Sequence, residues 1–356
     1  MDLEVIDTIF TFSNFAALTP SSTNNSNPHS LQKLYEICVY LLYVVGFSAS
    51  IYANFPMYQQ ITSMEFVLSI LYDLNQFCYV FYILIVMMRL RRSRWFRLIK
   101  SLAAVKSAKI NIPLKLIFVA SQMVYYCLTA FGFYANIEQA SITVAVFYMG
   151  EFYQHYVQFF YLMFASILLI LLLARYERLS ETLAQLSQAR SSQLHSKQVV
   201  LKKIKNSVFT LKKGVGFFND IFGWSILFTI FSCGSRTLVY IDVIIKHIEM
   251  LESQKALVFY HDFCRILMSW VGILSMIFLS DSILKKYDEI LAQVYCFAGE
   301  VASYENKEIQ VFIDVVLHNR PEFRAARFFS IDRSTLFSVL NSLTTFLLVI
   351  IQFKEV

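Results

Sequence analysis

The sequence predicts an all-α membrane protein with seven transmembrane helices, an intracellular N-terminus and an extracellular C-terminus. Three observations carry that prediction. Of the 356 residues, 57% are hydrophobic and only 16% charged, against about 25% charged in an ordinary soluble domain. Seven apolar stretches are each long enough to cross roughly 30 Å of hydrocarbon as a helix. Lysine and arginine, finally, alternate between dense and sparse connecting segments. The 34 phenylalanines and 21 tyrosines suit helix packing and anchoring at the lipid interface.

Residues 1–32 precede the first span. Positions 1–18 are apolar with Asp2, Glu4 and Asp7, and they lack the basic region and cleavage site of a signal peptide. Positions 19–30 read as a polar linker, and its sequon at Asn24 stays unmodified if this end is cytoplasmic. The spans fall at 33–54, 66–88, 113–135, 152–174, 217–245, 262–284 and 334–353. The third opens on Pro113, tolerated in a first turn. Asp220, Arg236 and Asp242 make the fifth the least clean.

Segment 89–112 carries eight basic residues, 175–216 nine and 285–333 seven, whereas 55–65 and 136–151 carry none and 246–261 only Lys246 and Lys255. The positive-inside rule makes the rich segments cytoplasmic. That topology is the inverse of a G-protein-coupled receptor.

The fourth and fifth helices are expected to run on into the cytoplasm, because Leu179, Leu183 and Leu186 keep a helical spacing beyond the span. Residues 285–318 show the same pattern through Ile290, Val294, Phe297 and Val301. These are either solvated or membrane-surface helices, or a subunit-assembly domain.

Five cysteines lie within spans and Cys296 in a cytoplasmic segment, so no loop disulfide is expected. There is no zinc spacing, no phosphate-binding glycine loop and no nucleophile with a neighbouring histidine and carboxylate in a known pattern. No catalytic residue, metal, cofactor or nucleic-acid partner is expected.

On the seventh helix Ser334, Ser338, Ser342, Thr345, Val349 and Gln352 recur at spacings of four, four, three, four and three, and so share one face. A glutamine in hydrocarbon is costly unless it meets a partner or water. The stripe either lets another helix pack closely or lines a wet path enclosed by several copies of the helix.

The end of that helix, Thr345-Phe346-Leu347-Leu348-Val349-Ile350-Ile351-Gln352-Phe353, resembles the signature of the insect gustatory receptors: threonine and tyrosine, five hydrophobic residues, glutamine and phenylalanine. Phe346 stands where tyrosine is usual, which keeps the ring and removes the hydroxyl. The stretch Phe323-Arg324-Ala325-Ala326-Arg327-Phe328-Phe329-Ser330-Ile331-Asp332-Arg333-Ser334-Thr335-Leu336-Phe337 is similar to the family's lead into this helix, and Arg175-Tyr176-Glu177-Arg178-Leu179 to its exit from helix four.

The resemblance implies a tastant-gated, non-selective cation channel of the plasma membrane, a homotetramer or a heterotetramer with related receptors. Monovalent and divalent cations would be the permeant ions. Residues 33–284 would form a six-helix ligand-binding bundle with cytoplasmic extensions, 285–333 a cytoplasmic anchor, and 334–356 the pore helix. Val349, Gln352 and Phe353 would match the constriction, with Thr345 in the wall.

The ligand pocket would lie among the outer halves of helices one to six. Tyr72, Asp73 and Gln76 combine a ring with polar groups suited to a sugar-like or other small polar ligand. Tyr125, Tyr153, Tyr156 and Trp270 supply further walls. Arg236 either receives an anionic ligand or pairs with Asp73 or Asp242. Asp262 and Arg265 read as a local ion pair, and His155 as an interfacial side chain. Two other functions fit seven spans: a receptor acting through a cytoplasmic partner, and a transporter. The latter predicts an internal repeat and broken helices, and neither is evident.

Overall fold

The computed structural model describes residues 4–20, 30–58, 63–110, 112–139, 142–188, 194–247, 256–301 and 307–352. The sequon at Asn24 and the pore candidate Phe353 lie outside them. In chain order the elements are α1 (Glu4–Asn14), α2 (Ser30–Tyr58), α3 (Ser63–Phe81), a π-helical continuation (Tyr82–Leu90), α4 (Arg92–Ala103), α5 (Leu114–Gln139), α6 (Ile142–Phe147), α7 (Met149–Gln188), α8 (Leu194–His247), α9 (Ala256–Val301), α10 (Lys307–His318), a short antiparallel hairpin of β1 (Arg324–Ala325) and β2 (Phe329–Ser330), and α11 (Arg333–Gln352).

Six of these helices are long and apolar enough to cross a membrane, and the apolar part of α11 is a shorter seventh. The long α7, α8 and α9 run past their spans, as the leucine spacing predicts. We call that end of the bundle the extended end and the other the short-loop end.

α7 lies at the centre, with α9 its most extensive partner. It meets α2 where two glycines face each other: a Cβ on Gly150 would stand 2.6 Å from the Gly46 carbonyl carbon. Small residues let membrane helices approach this closely.

At the extended end Trp95 of α4 is fully buried among aromatic rings. It stacks on Phe164 at 5.4 Å and meets Phe10 and Phe222 edge-on at 5.9 and 5.5 Å. Asp220, which interrupts the fifth span, is paired with Arg94 of α4.

The N-terminal segment packs inside the bundle. α1 buries Val5, Ile6, Ile9 and Phe10 while Glu4 stays outside and pairs with Lys115 of α5 at 3.3 Å. The chain then turns through Ala17, whose φ is 56°.

Backbone buried at this depth needs its polar groups satisfied. Tyrosine hydroxyls do so: Tyr35 donates to the Phe15 carbonyl, Tyr153 to Ala16 at 3.0 Å and Tyr161 to Leu18 at 2.8 Å. Ser13 and Thr19 hydrogen-bond across the turn.

The extended end is tied together by polar groups on well-separated segments. Arg175 caps the end of α4 by donating from Nε to the Leu102 carbonyl at 2.8 Å. Tyr176 packs edge-on against Tyr287, whose hydroxyl donates to Val316 at 2.5 Å. Arg320 grips Asp288 through two bonds of 3.0 and 2.9 Å.

The β-hairpin docks on α8 through Asn219, which donates to the Glu322 carbonyl and accepts from the Arg324 amide. Gly223 makes that approach possible, since a Cβ there would meet the Ala326 nitrogen at 2.8 Å.

Asp332 then caps α11. Partial burial opposes its ionisation, but bonds from Ser330, Ser334 and the Thr335 amide and hydroxyl outweigh it and hold its carboxyl at about 2.

Candidate functional site

Four helices converge on a polar cluster near the short-loop end. Tyr72 and Gln76 share a face of α3 one turn apart, and Gln76 Nε2 donates to the Tyr72 hydroxyl at 3.0 Å. Arg236 of α8 donates from Nη1 to that same hydroxyl at 2.6 Å and to His155 Nε2 of α7 at 3.1 Å. Its other terminal nitrogen reaches Asp262 Oδ1 of α9 at 3.3 Å.

Asp262 is therefore the partner of Arg236, in place of the Asp73 or Asp242 that sequence suggests. It also holds Arg265, so the expected local pair is one arm of a larger network. His155, read from sequence as an interfacial side chain, is buried at the centre of it.

The remaining candidates separate. Asp73 lies next to Tyr72 in the chain but accepts from the Tyr58 hydroxyl of α2 at 2.5 Å. Tyr125 and Tyr156 form an aromatic wall between α5 and α7, with ring centroids 5.4 Å apart, and Tyr125 donates to the Phe152 carbonyl. Trp270 donates to Thr237 Oγ1 at 3.1 Å across α8 and α9. Tyr153 is directed to the N-terminal turn, as described above. The structure thus brings Tyr72, Gln76 and Arg236 together and adds His155, Gln158, Asp262 and Arg265. Tyr72, His155, Gln158, Arg236 and Arg265 line a small cavity with Ser232 and Ser269.

A second region is the surface of α11. This helix rests on α8 and α9, through a face that includes Thr335, Val339 and Leu343, and its opposite face is exposed. Ser334, Ser338, Asn341, Thr345 and Gln352 lie on or beside that exposed face, and Val349 is half-buried at its edge. Ser338, Ser342 and Thr345 each donate to the carbonyl four residues earlier. Their hydroxyl protons are thereby satisfied while the oxygens still accept. Between α8 and α11 runs a groove of about 430 Å³ walled by Phe231, Gly234, Leu238, Ser338 and Phe346.

Among the described residues no group of acidic, histidine and cysteine side chains is arranged to hold a metal.

A family model described as 7tm Chemosensory receptor matches residues 6–356. Among curated proteins, the Gustatory and pheromone receptor 32a of Drosophila melanogaster is 40% identical over 67 residues, covering 19% of this chain and 14% of that protein. Gustatory receptor 68a of the same organism is 39% identical over 67 residues, 19% of this chain and 16% of its own length. The aligned part is thus under a fifth of either relative.

The solved structure of the insect olfactory receptor OR5 from Machilis hrabei superposes with a TM-score of 0.67 at 11% identity, covering 98% of both chains. The same receptor in complex with eugenol gives 0.65 at 12%. At such identities the likeness is one of fold. Family, fold and hydropathy agree on a multi-pass membrane receptor and not an enzyme: the chain belongs to the 7tm chemosensory receptor family.

Proposed function

We propose that this chain is the subunit of a tetrameric, tastant-gated, non-selective cation channel of the plasma membrane, with α11 as its pore helix. The observation that carries this reading is the exposed polar flank of α11, which borders the groove against α8 and is not covered by its own bundle. A row of hydroxyls ending in the Gln352 amide is poorly suited to lipid and well suited to a water-filled path shared by several copies. Four Gln352 amides would present dipoles to a partly dehydrated cation, with Thr345 in the wall and Val349 and Phe353 narrowing the path. The motif from Thr345 to Phe353 contains no acidic residue, so cations are expected to be weakly discriminated.

In this reading the N-terminus is cytoplasmic, residues 285–333 help assemble the subunits, and the Tyr72–Arg236 cluster is the ligand site. The aromatic wall of Tyr125 and Tyr156, with Asp73 and Trp270, borders it. The supports are the alternation of basic segments, the convergence of four helices on a polar cavity and family membership. Excised patches perfused with a tastant panel, without nucleotides, test it. A ligand-evoked current whose divalent permeability rises in Gln352→Glu is expected. A response that needs a cytoplasmic partner would favour the receptor reading instead.

A further inference from the structure

We propose that the cavity between α3, α7, α8 and α9 recognises a carboxylate through Arg265, making small carboxylic acids the ligand class. This rests on reading the cavity as the ligand site. Arg265 lines it and is only 8% exposed. Among the described residues its Nε has no hydrogen-bond partner, and its Nη2 has only the ionic contact with Asp262. These two nitrogens lie on one edge of the guanidinium, the edge that takes both oxygens of a carboxylate in parallel bonds.

Asp262 does not fill that fork. Its Oδ1 stands 3.3 Å from Arg265 Nη2, an ionic contact without hydrogen-bond alignment, and serves Arg236 Nη2 at 3.3 Å and His261 Nδ1 at 3.4 Å as well. The other nearby carboxylates have donors of their own: Glu151 takes the Asn54 amide at 3.2 Å and Asp73 the Tyr58 hydroxyl.

A buried donor left without a hydrogen bond is costly, so an acceptor that fills the fork recovers that cost. One carbonyl oxygen of a neutral ligand satisfies half of the fork, and a carboxylate satisfies all of it. The cavity holds about 10 Å³, room for one water-sized group. Seating a carboxylate therefore displaces lining side chains from four helices. That restricts the ligand to small acids and gives occupancy a differential affinity for a more open arrangement, which a ligand must have to shift a conformational equilibrium.

The test uses the full-length chain in lipid nanodiscs at pH 7 and fixed ionic strength, with acetate and benzoate set against acetamide and benzamide. At least one acid is expected to raise the melting temperature while its amide does not. Arg265→Lys keeps the charge and loses the fork, and is expected to weaken acid binding about tenfold; Arg265→Gln gives a second reading should the lysine variant fold poorly. Equal shifts for acid and amide, no shift from either acid, or unchanged acid affinity in the folded variants would overturn the proposal. Channel activity is read separately. Acid binding without current would sink the channel and leave the carboxylate site, whereas current evoked only by neutral ligands would do the reverse.

Discussion

α7 and α11 are both apolar helices, the second with a shorter apolar run, yet they satisfy their surfaces in opposite ways. In α7, 72% of the most apolar window is buried within the chain, whereas α11 leaves Phe337, Phe346 and Leu348 more than half exposed beside its row of hydroxyls. What α7 needs it finds in its own bundle: glycine against glycine at α2, rings at Trp95 and Phe222, and the Tyr125 hydroxyl of α5 for its Phe152 carbonyl. α11 rests chiefly on α8 and α9. The difference teaches that hydropathy marks a span without saying what covers it. A helix covered on all sides carries stability, and one covered on a single face leaves the other for lipid, water or further subunits.

Substitutions break or sharpen that contrast. Phe164→Ala on α7 removes a ring packed against Phe10, Trp95 and Phe222, at an expected cost of about 4 kcal/mol in thermal unfolding in detergent. A loss below 1 kcal/mol would mean that α7 is not the structural centre.

Arg236→Gln strips Asp262 and Tyr72 of a shared donor. Because Arg236 and Asp262 keep side-chain exposures of 22% and 31%, the expected cost is at the low end for such pairs, about 2 kcal/mol. Ligand response should be lost with it.

Asp332→Ala uncaps α11 and should cost about 1 kcal/mol. The folded carboxyl titrates at about 2, below its ordinary 3.8. Its stabilisation is therefore complete above pH 4 and is lost as pH falls towards 2. Unfolding midpoints across that window should slope in the parent and flatten in the variant.

The smallest effect on stability is expected from Thr345→Val, within about 0.5 kcal/mol. Its effect should appear in single-channel conductance instead. A large stability loss there would place Thr345 in a packed contact.

Much of this fold was legible in the sequence, because bilayer thickness sets the length of an apolar run and the leucine spacing past each span announces the long helices. α1 was harder to see. Val5, Ile6, Ile9 and Phe10 trace an amphipathic face, but an 11-residue helix is too short to register as a membrane element. Nothing local shows that Tyr153 and Tyr161, more than 130 residues away, satisfy the Ala16 and Leu18 carbonyls of the turn that follows it.

The candidate site was half legible for a similar reason. Tyr72 and Gln76 are one helical turn apart and can be paired on sight. The bonds from Arg236 to Tyr72, His155 and Asp262 join four helices, so the partner of an intramembrane arginine could be narrowed to a carboxylate but not chosen. On α11 the periodic serines, threonine and glutamine mark a polar flank in the sequence, since a single helix encodes it.

The most direct test of the central claim, that copies of α11 meet around a shared path, is Gln352→Cys under mild oxidation. The parent chain, with its six native cysteines, serves as the control. The account predicts disulfide-linked dimers above that control on a non-reducing gel and a ligand-evoked current blocked by oxidant and restored by reductant. Monomers only, with current untouched by either reagent, would contradict it.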